Sequence, residues 1–264
     1  MAKWCTVLTA LFLFIAAAHS GQIPIANNSF EIPAIDPIEN PFLAVPYAPS
    51  WTEMDLDTEY STNTGIFRNP PPDSPYGDYI VNADGNQLAF LGSQSGNGFL
   101  QDLGATYQTG KSYRLTVEVC PSVRFPPSPG NQLILSLYYI NDANSVDIQT
   151  SPVPSTELIV NVLKTFSVTM PAVQSGDAWV GKNIGIAIRA DGLPGGYWDL
   201  DNVRLMEFQT LPDFTNDSFV NLQDFAVMAP EWLSCTDVAT DLTGDGCVDT
   251  EDLLILAEHW LSYV

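Results

Sequence analysis

The sequence predicts a mainly β chain: an antiparallel jelly-roll β-sandwich over residues 21–208, then a small α-helical domain of paired loop-helix units over 209–264. Three observations lead there: short apolar segments that alternate with period two, turn clusters between them, and an acidic tail that repeats itself. Successive side chains of a strand point to opposite faces, so alternation marks a strand with one buried face.

Residues 1–20 have the pattern of a signal peptide. Lys3 precedes the apolar run Val7–Ala18, and Ala18 and Ser20 place small residues at the −3 and −1 positions of a cut before Gly21. The run is shorter than the roughly 20 residues a membrane-spanning helix needs. No later segment is apolar enough for a span, so the mature chain is expected to be secreted.

In the sandwich region, Leu115, Val117 and Val119 alternate with Arg114, Thr116 and Glu118. Leu133, Leu135, Leu137 and Tyr139 repeat the rhythm, as do Phe166, Val168 and Met170, then Ile184, Ile186 and Ile188. Clusters such as Asp84-Gly85-Asn86 and Pro126–Gly130 separate these segments. The proline-rich run from Arg68 to Pro75 cannot occupy a central strand and is expected as a long surface loop.

Composition removes several functions. With 9 Lys+Arg against 31 Asp+Glu, the formal charge is −22, which excludes a phosphate-binding cationic surface and hence a nucleic-acid partner. Loss of residues 1–20 would leave His259 as the only histidine, so a Ser-His-Asp or Cys-His site would depend on it and a multi-histidine zinc site has no material. Cys235 and Cys247 are the expected disulfide in an exported chain, which leaves Cys120 single in a strand.

From Tyr197 to Leu205, strict alternation would place Tyr197, Asp199, Asp201, Val203 and Leu205 on one face. An unpaired buried carboxylate is costly, so either bound Ca²⁺ neutralises the pair or they lie at a solvated strand end.

Two short motifs bear on that choice. Asn27-Asn28-Ser29-Phe30-Glu31 and Leu200-Asp201-Asn202-Val203-Arg204-Leu205 resemble the opening and closing strands of galactose-binding-like jelly rolls, a group with many carbohydrate-binding modules. The resemblance implies a structural Ca²⁺ on Glu31 and Asp201. Trp51, Gly65-Ile66-Phe67, Asp84-Gly85-Asn86, Gln101 and Tyr113–Val117 resemble the Stig cyclases, calcium-binding jelly-roll enzymes that rearrange indole alkaloids by protonating substrate with a carboxylic acid. That resemblance implies Asp199 or Asp201 as the acid. Recognition of a polysaccharide or oligosaccharide would instead draw on aromatic faces and planar polar groups, here Trp51, Tyr79, Gln101, Tyr138 and Arg189. Trp179 and Trp198 are read as packing residues.

The tail carries 12 of the acids between residues 206 and 264 and no Lys or Arg. Residues 213–234 and 241–262 align at an offset of 28 with 9 of 22 identities. Each copy opens with the spacing of an EF-hand loop: Asp213, Thr215, Asp217 and Asp224 in one, Asp241, Thr243, Asp245 and Asp252 in the other, with the carbonyls of Phe219 and Cys247 at position 7. Gly246 suits the sharp turn at position 6, whereas Ser218 does not, so the second loop is expected to bind Ca²⁺ more tightly. An apolar helical face follows each loop: Phe225, Val227, Met228 and Leu233 in the first copy, Leu253, Leu254, Leu256, Ala257 and Leu261 in the second. Pro230 should interrupt the first helix.

These loop-helix pairs resemble a type I dockerin, which implies a cohesin-like partner domain contacted through Leu222, Gln223, Thr250 and Glu251. The leading expectation is therefore a secreted calcium-binding protein whose jelly roll binds glycan and whose tail tethers it to that partner. The alternatives are an enzyme on the same jelly roll, either a glycan hydrolase with paired carboxylates or a cyclase-like acid catalyst, and a structural surface or matrix protein.

Overall fold

The computed structural model describes residues 21–36, 43–54, 63–173, 176–209, 212–215, 217, 219–235, 240–243 and 246–263. The expected leader, Ser218 and the loop residue Asp245 lie outside them. The chain separates into two compact units, divided after residue 210.

In the first unit the described residues form twelve strands: β1 (Gly21–Ile23), β2 (Ala44–Val45), β3 (Thr52–Met54), β4 (Thr64–Arg68), β5 (Gln87–Gly92), β6 (Gly98–Thr106), β7 (Lys111–Pro121), β8 (Gln132–Asn141), β9 (Asn144–Pro154), β10 (Lys164–Met170), β11 (Asn183–Asp191) and β12 (Tyr197–Gln209). One sheet has the order β10-β7-β12-β5-β4-β2, with β1 added along the far end of β12; the other has the order β3-β6-β11-β8-β9. Every pairing between these strands is antiparallel.

The alternating residues form the core between the sheets. Leu115, Val117 and Val119 of β7 face Leu133, Leu135 and Leu137 of β8 and Ile184, Ile186 and Ile188 of β11, all fully buried in one cluster. Each such side chain contributes about 1.5–3 kcal/mol on leaving water. Phe30, Trp51 and Phe99 add a ring group with centroids 5.5–6.1 Å apart.

The last strand departs from strict alternation. Its pairing with β7 shifts between Asp201 and Arg204, and Asn202 takes φ 50°, a left-handed conformation that Asn tolerates better than most residues. The extra residue resets the phase. Trp198 and Leu200 before it and Val203 and Leu205 after it all enter the core, while Asp199 and Asp201 turn to the outer face with Tyr197. The shared face expected for the two acids, Val203 and Leu205 is therefore corrected by this bulge.

The outer face of the larger sheet is covered. Ile80 and Leu163 pack on Phe67, Leu88 and Cys120 of β4, β5 and β7 as a second apolar cluster. The proline-rich run lies at the surface, exposed at Pro71, Pro72, Asp73 and Pro75, and the segment after it reaches the sheet through Ile80. Val81 N–H donates to the Asn161 carbonyl at 2.9 Å and the Asn161 amide donates to the Gly77 carbonyl at 2.7 Å, which ties the covering segments together.

The second unit holds two short helices, α1 (Leu222–Met228) and α2 (Thr250–Glu258). Asn221 and Asp249 cap them: each side chain accepts from the backbone two residues on, and Asp224 and Asp252 accept from the cap residue's own N–H at 2.8 Å. Pro230 ends α1 in a single 3₁₀ turn over Ala229–Glu231. The core is small, with Val220, Met228, Leu242, Val248 and Leu256 buried, while Val227, Leu233, Leu254, Ala257 and Leu261 of the expected apolar faces are exposed.

The two copies close one another. Val220 exchanges hydrogen bonds with Leu261 and Ser262 of the second copy, and Val248 with Leu233 and Ser234 of the first. The pattern repeats at the offset of the duplication, and Leu233 and Leu261 both adopt φ 61°. Cys235 and Cys247 are joined as expected. Closure of so short a loop restricts the unfolded chain, so reduction should cost this unit about 2–4 kcal/mol. Thermal unfolding of the Cys235→Ser/Cys247→Ser variant should show an earlier transition for the tail alone; an unchanged profile would contradict it.

Candidate active site

Asp199 lies on the covered face of the larger sheet, directly opposite Phe90 on β5 and Cys120 on β7. The residue is 4% exposed. Among the described residues no hydrogen bond or ion pair reaches its carboxyl, and burial pushes its pKa well above the usual carboxylate range. Its neighbour Cys120 is also raised, by burial first and then by the charges of Asp199 and Asp201. That thiol is inert at neutral pH.

A cavity of about 490 Å³ opens over Asp199. Phe67, Phe90, Phe125 and Tyr197 supply aromatic walls, and Leu43, Ile80 and Val123 supply aliphatic ones. Tyr197 is fixed from two sides: its N–H donates to the Phe125 carbonyl at 2.7 Å, and its carbonyl accepts from Ser122 N–H at 3.0 Å. Its ring meets Phe90 and Phe125 edge-on at 6.0 and 6.5 Å.

A second acid borders the cavity in the opposite state. Burial alone would raise Asp78, but the Ser74 hydroxyl at 2.5 Å and the Arg124 guanidinium at 2.9 Å outweigh it and hold the carboxyl below its ordinary value. Arg124 also stacks over Tyr76 at 4.7 Å, so this ion pair fastens the proline-rich segment to the loop after β7. A partner thus holds one carboxyl below its ordinary value while burial in an apolar setting raises the other.

The other expected acid is employed differently. Both Asp201 oxygens accept backbone N–H groups, from Asp84 at 2.6 Å and Asn202 at 2.7 Å, yet burial still pushes its pKa up to about 8. Glu31 Oε1 accepts from Asn86 and Gln87 at 2.7 and 2.8 Å. The pair clasps the turn from Asp84 to Gln87 from two sides. The two carboxylates expected to share a Ca²⁺ thus hold one turn through its N–H groups.

The residues expected to bind sugar fall in separate places. Trp51 is buried against Phe30 and its indole N–H donates to the Asn27 carbonyl. The Gln101 amide is paired with the backbone of Ala26. Neither has a surface to offer, which corrects that expectation for both. Tyr138 and Arg189 do meet, with the guanidinium 5.9 Å from the ring, but Tyr138 is buried and Arg189 is paired with Asp147 at 2.9 Å. Tyr79 stands in the covering segment, half-buried.

In the tail, the first loop gathers oxygens: Thr215 Oγ1 lies 3.0 Å from Asp224 Oδ1 and 3.4 Å from Asp213 Oδ1. Asp217 accepts from Phe219 N–H. In the second, Asp241 accepts from Gly246 N–H and Asp252 from Leu242 N–H, with both carboxyls buried. Among the described residues no three His, Cys, Asp or Glu side chains converge as a cage. The two carboxylates and one hydroxyl of the first loop are nonetheless a donor set suited to a hard cation. Leu222, Gln223, Thr250 and Glu251 are exposed at matching places on the two helices.

Asp78, Arg124, Phe90 and Phe125 carry no motif in the sequence. The sequence marks Asp199 and Tyr197 by strand alternation and Phe67 through the cyclase-like Gly65-Ile66-Phe67 segment.

A family model described as HpiC1-like, HpiC1 cyclase, matches residues 21–206. A solved cyclase from Fischerella sp. TAU is 22% identical, with 72% of this chain and 98% of that one covered at a TM-score of 0.56. A Stig cyclase from the same organism, solved with (3Z)-3-(1-methyl-2-pyrrolidinylidene)-3H-indole, gives 22% identity, coverages of 72% and 99%, and a TM-score of 0.57. A third structure, a cyclase from this organism with 4-(1H-indol-3-yl)butan-2-one, gives 22%, 72%, 98% and 0.56. No curated protein matches the sequence.

An unpartnered carboxyl facing a cavity destabilises the fold that holds it. Asp199→Leu should therefore raise stability at pH 7 by about 1–3 kcal/mol in urea unfolding. A destabilised variant would mean that the carboxyl has a partner.

Proposed function

The chain belongs to the HpiC1-like cyclase family, and from that membership we propose that its sandwich is an acid catalyst acting on a hydrophobic, aromatic small molecule. The observation that carries the proposal is the unpartnered Asp199 carboxyl beneath an aromatic-walled cavity. The protonated carboxyl donates its proton to an electron-rich carbon of the bound molecule, leaving a carboxylate and a substrate cation. The ring faces of Phe67, Phe90 and Tyr197 stabilise that cation. Bond formation within the substrate follows, and loss of a proton to Asp199 restores the acid. The net change is an isomerisation that consumes no co-reactant.

Such a donor works only while protonated, so the rate should be constant at low pH and fall as pH rises through the raised pKa of Asp199. In D₂O the protein should exchange hydrogen for deuterium at the nucleophilic carbon of a 3-substituted indole. Asp199→Asn should slow that exchange by about 10²-fold or more. A rate that climbs with pH, or that survives the substitution, would sink the proposal.

The tail is proposed as a dockerin-like tether on an exported chain. Support comes from the duplicated loops, their matched capping boxes and the exposed residues at the start of each helix. Asp213, Thr215, Asp217, Asp224 and the Phe219 carbonyl would hold one Ca²⁺; Asp241, Thr243, Asp245, Asp252 and the Cys247 carbonyl would hold another. Gly246 at φ 99° favours the second loop. Calorimetric titration should show Asp241→Ala costing more affinity than Asp213→Ala, and the reverse order would contradict that ranking. The glycan reading has less behind it, since Trp51 and Gln101 are internal.

A further inference from the structure

A second cavity of about 350 Å³ adjoins the first, and Phe125 and Tyr197 line both. The first chamber offers few free polar groups, because Asp78, Arg124 and Ser74 satisfy one another. The second is different. Gln94, Gly195 and Gly196 line it; among the described residues no protein group pairs with the Gln94 carboxamide or with the N–H of Gly195 or Gly196, and Gly195 is exposed while the other two are half-buried.

The glycine backbone is held in place. Ser93 N–H donates to the Gly196 carbonyl and Ser95 N–H to the Gly192 carbonyl, both at 3.0 Å. Gly196 has φ 116°, and a Cβ there would stand 2.4 Å from the Pro126 carbonyl oxygen, so this wall has no side chain to fill it.

We infer that the second chamber is a substrate subsite which takes an arm ending in an oxygen acceptor, such as a carbonyl or hydroxyl, while the aromatic part lies over Asp199. A ligand oxygen would take the place of water at the half-buried Gln94 carboxamide and Gly196 N–H. The edge-on pair of Phe125 and Tyr197 forms the partition past which the arm must extend. The inference rests on the reading of the first cavity as the reaction site.

Two probes separate the parts: 3-methylindole, which has no arm, and 4-(1H-indol-3-yl)butan-2-one, which carries a ketone. In calorimetric titration of the full chain, the ketone should bind about tenfold more tightly than 3-methylindole, as one hydrogen bond would give. Gln94→Leu should remove most of that advantage and leave 3-methylindole affinity unchanged. Gln94→Trp, which fills the chamber, should weaken the ketone alone. Both variants lie at a half-buried position and should keep the native unfolding temperature. A preference for the ketone that survives both substitutions, or equal affinities in the native protein, overturns the subsite. If neither indole binds, the reading of the first cavity fails and the subsite falls with it.

Discussion

One extra residue in β12 governs the layout of the larger sheet. Without the shift between Asp201 and Arg204, no single phase of the strand could send Trp198, Leu200, Val203 and Leu205 into the core together. The bulge allows it and leaves the odd-numbered positions before it, Tyr197 and Asp199, on the opposite face. The apolar requirement of the core thereby places an acid where water would normally meet it. The covering segments then remove that water, and the cavity remains in the space they do not fill.

The cost of the acid is met by the packing around it. Desolvation of an unpaired carboxyl opposes folding by a few kcal/mol, while a handful of fully buried Leu, Ile and Val residues outweigh it. The nearby Asp78 shows the alternative solution, a carboxylate neutralised by an arginine. The same chain thus contains an acid whose pKa is raised by solvent exclusion and one whose pKa is lowered by a partner, and the difference is set by which loop supplies a cation.

Much of this was legible in sequence because strand alternation and loop spacing are local. The strands from Arg114 to Val119, Leu133 to Tyr139 and Ile184 to Ile188 stand where their period places them, and the tail duplication follows from its spacing. The bulge was not legible: Asp201-Asn202 reads as two polar residues in a continuing alternation until the register with β7 is known. Nor does sequence separate a ligand-facing aromatic from a core one. Trp51 has the composition of a sugar platform, yet Phe30 covers its face. Asp78 and Arg124 are 46 residues apart, and only the tertiary fold makes them neighbours.

The crossed hydrogen bonds of the tail make its two halves interdependent. Val220 is completed by the end of the second copy and Val248 by the end of the first, so neither loop can order without presenting a finished edge to the other. Neither end can be trimmed alone: loss of Leu261 and Ser262 would strip Val220 of both backbone partners, and loss of Leu233 and Ser234 would do the same to Val248.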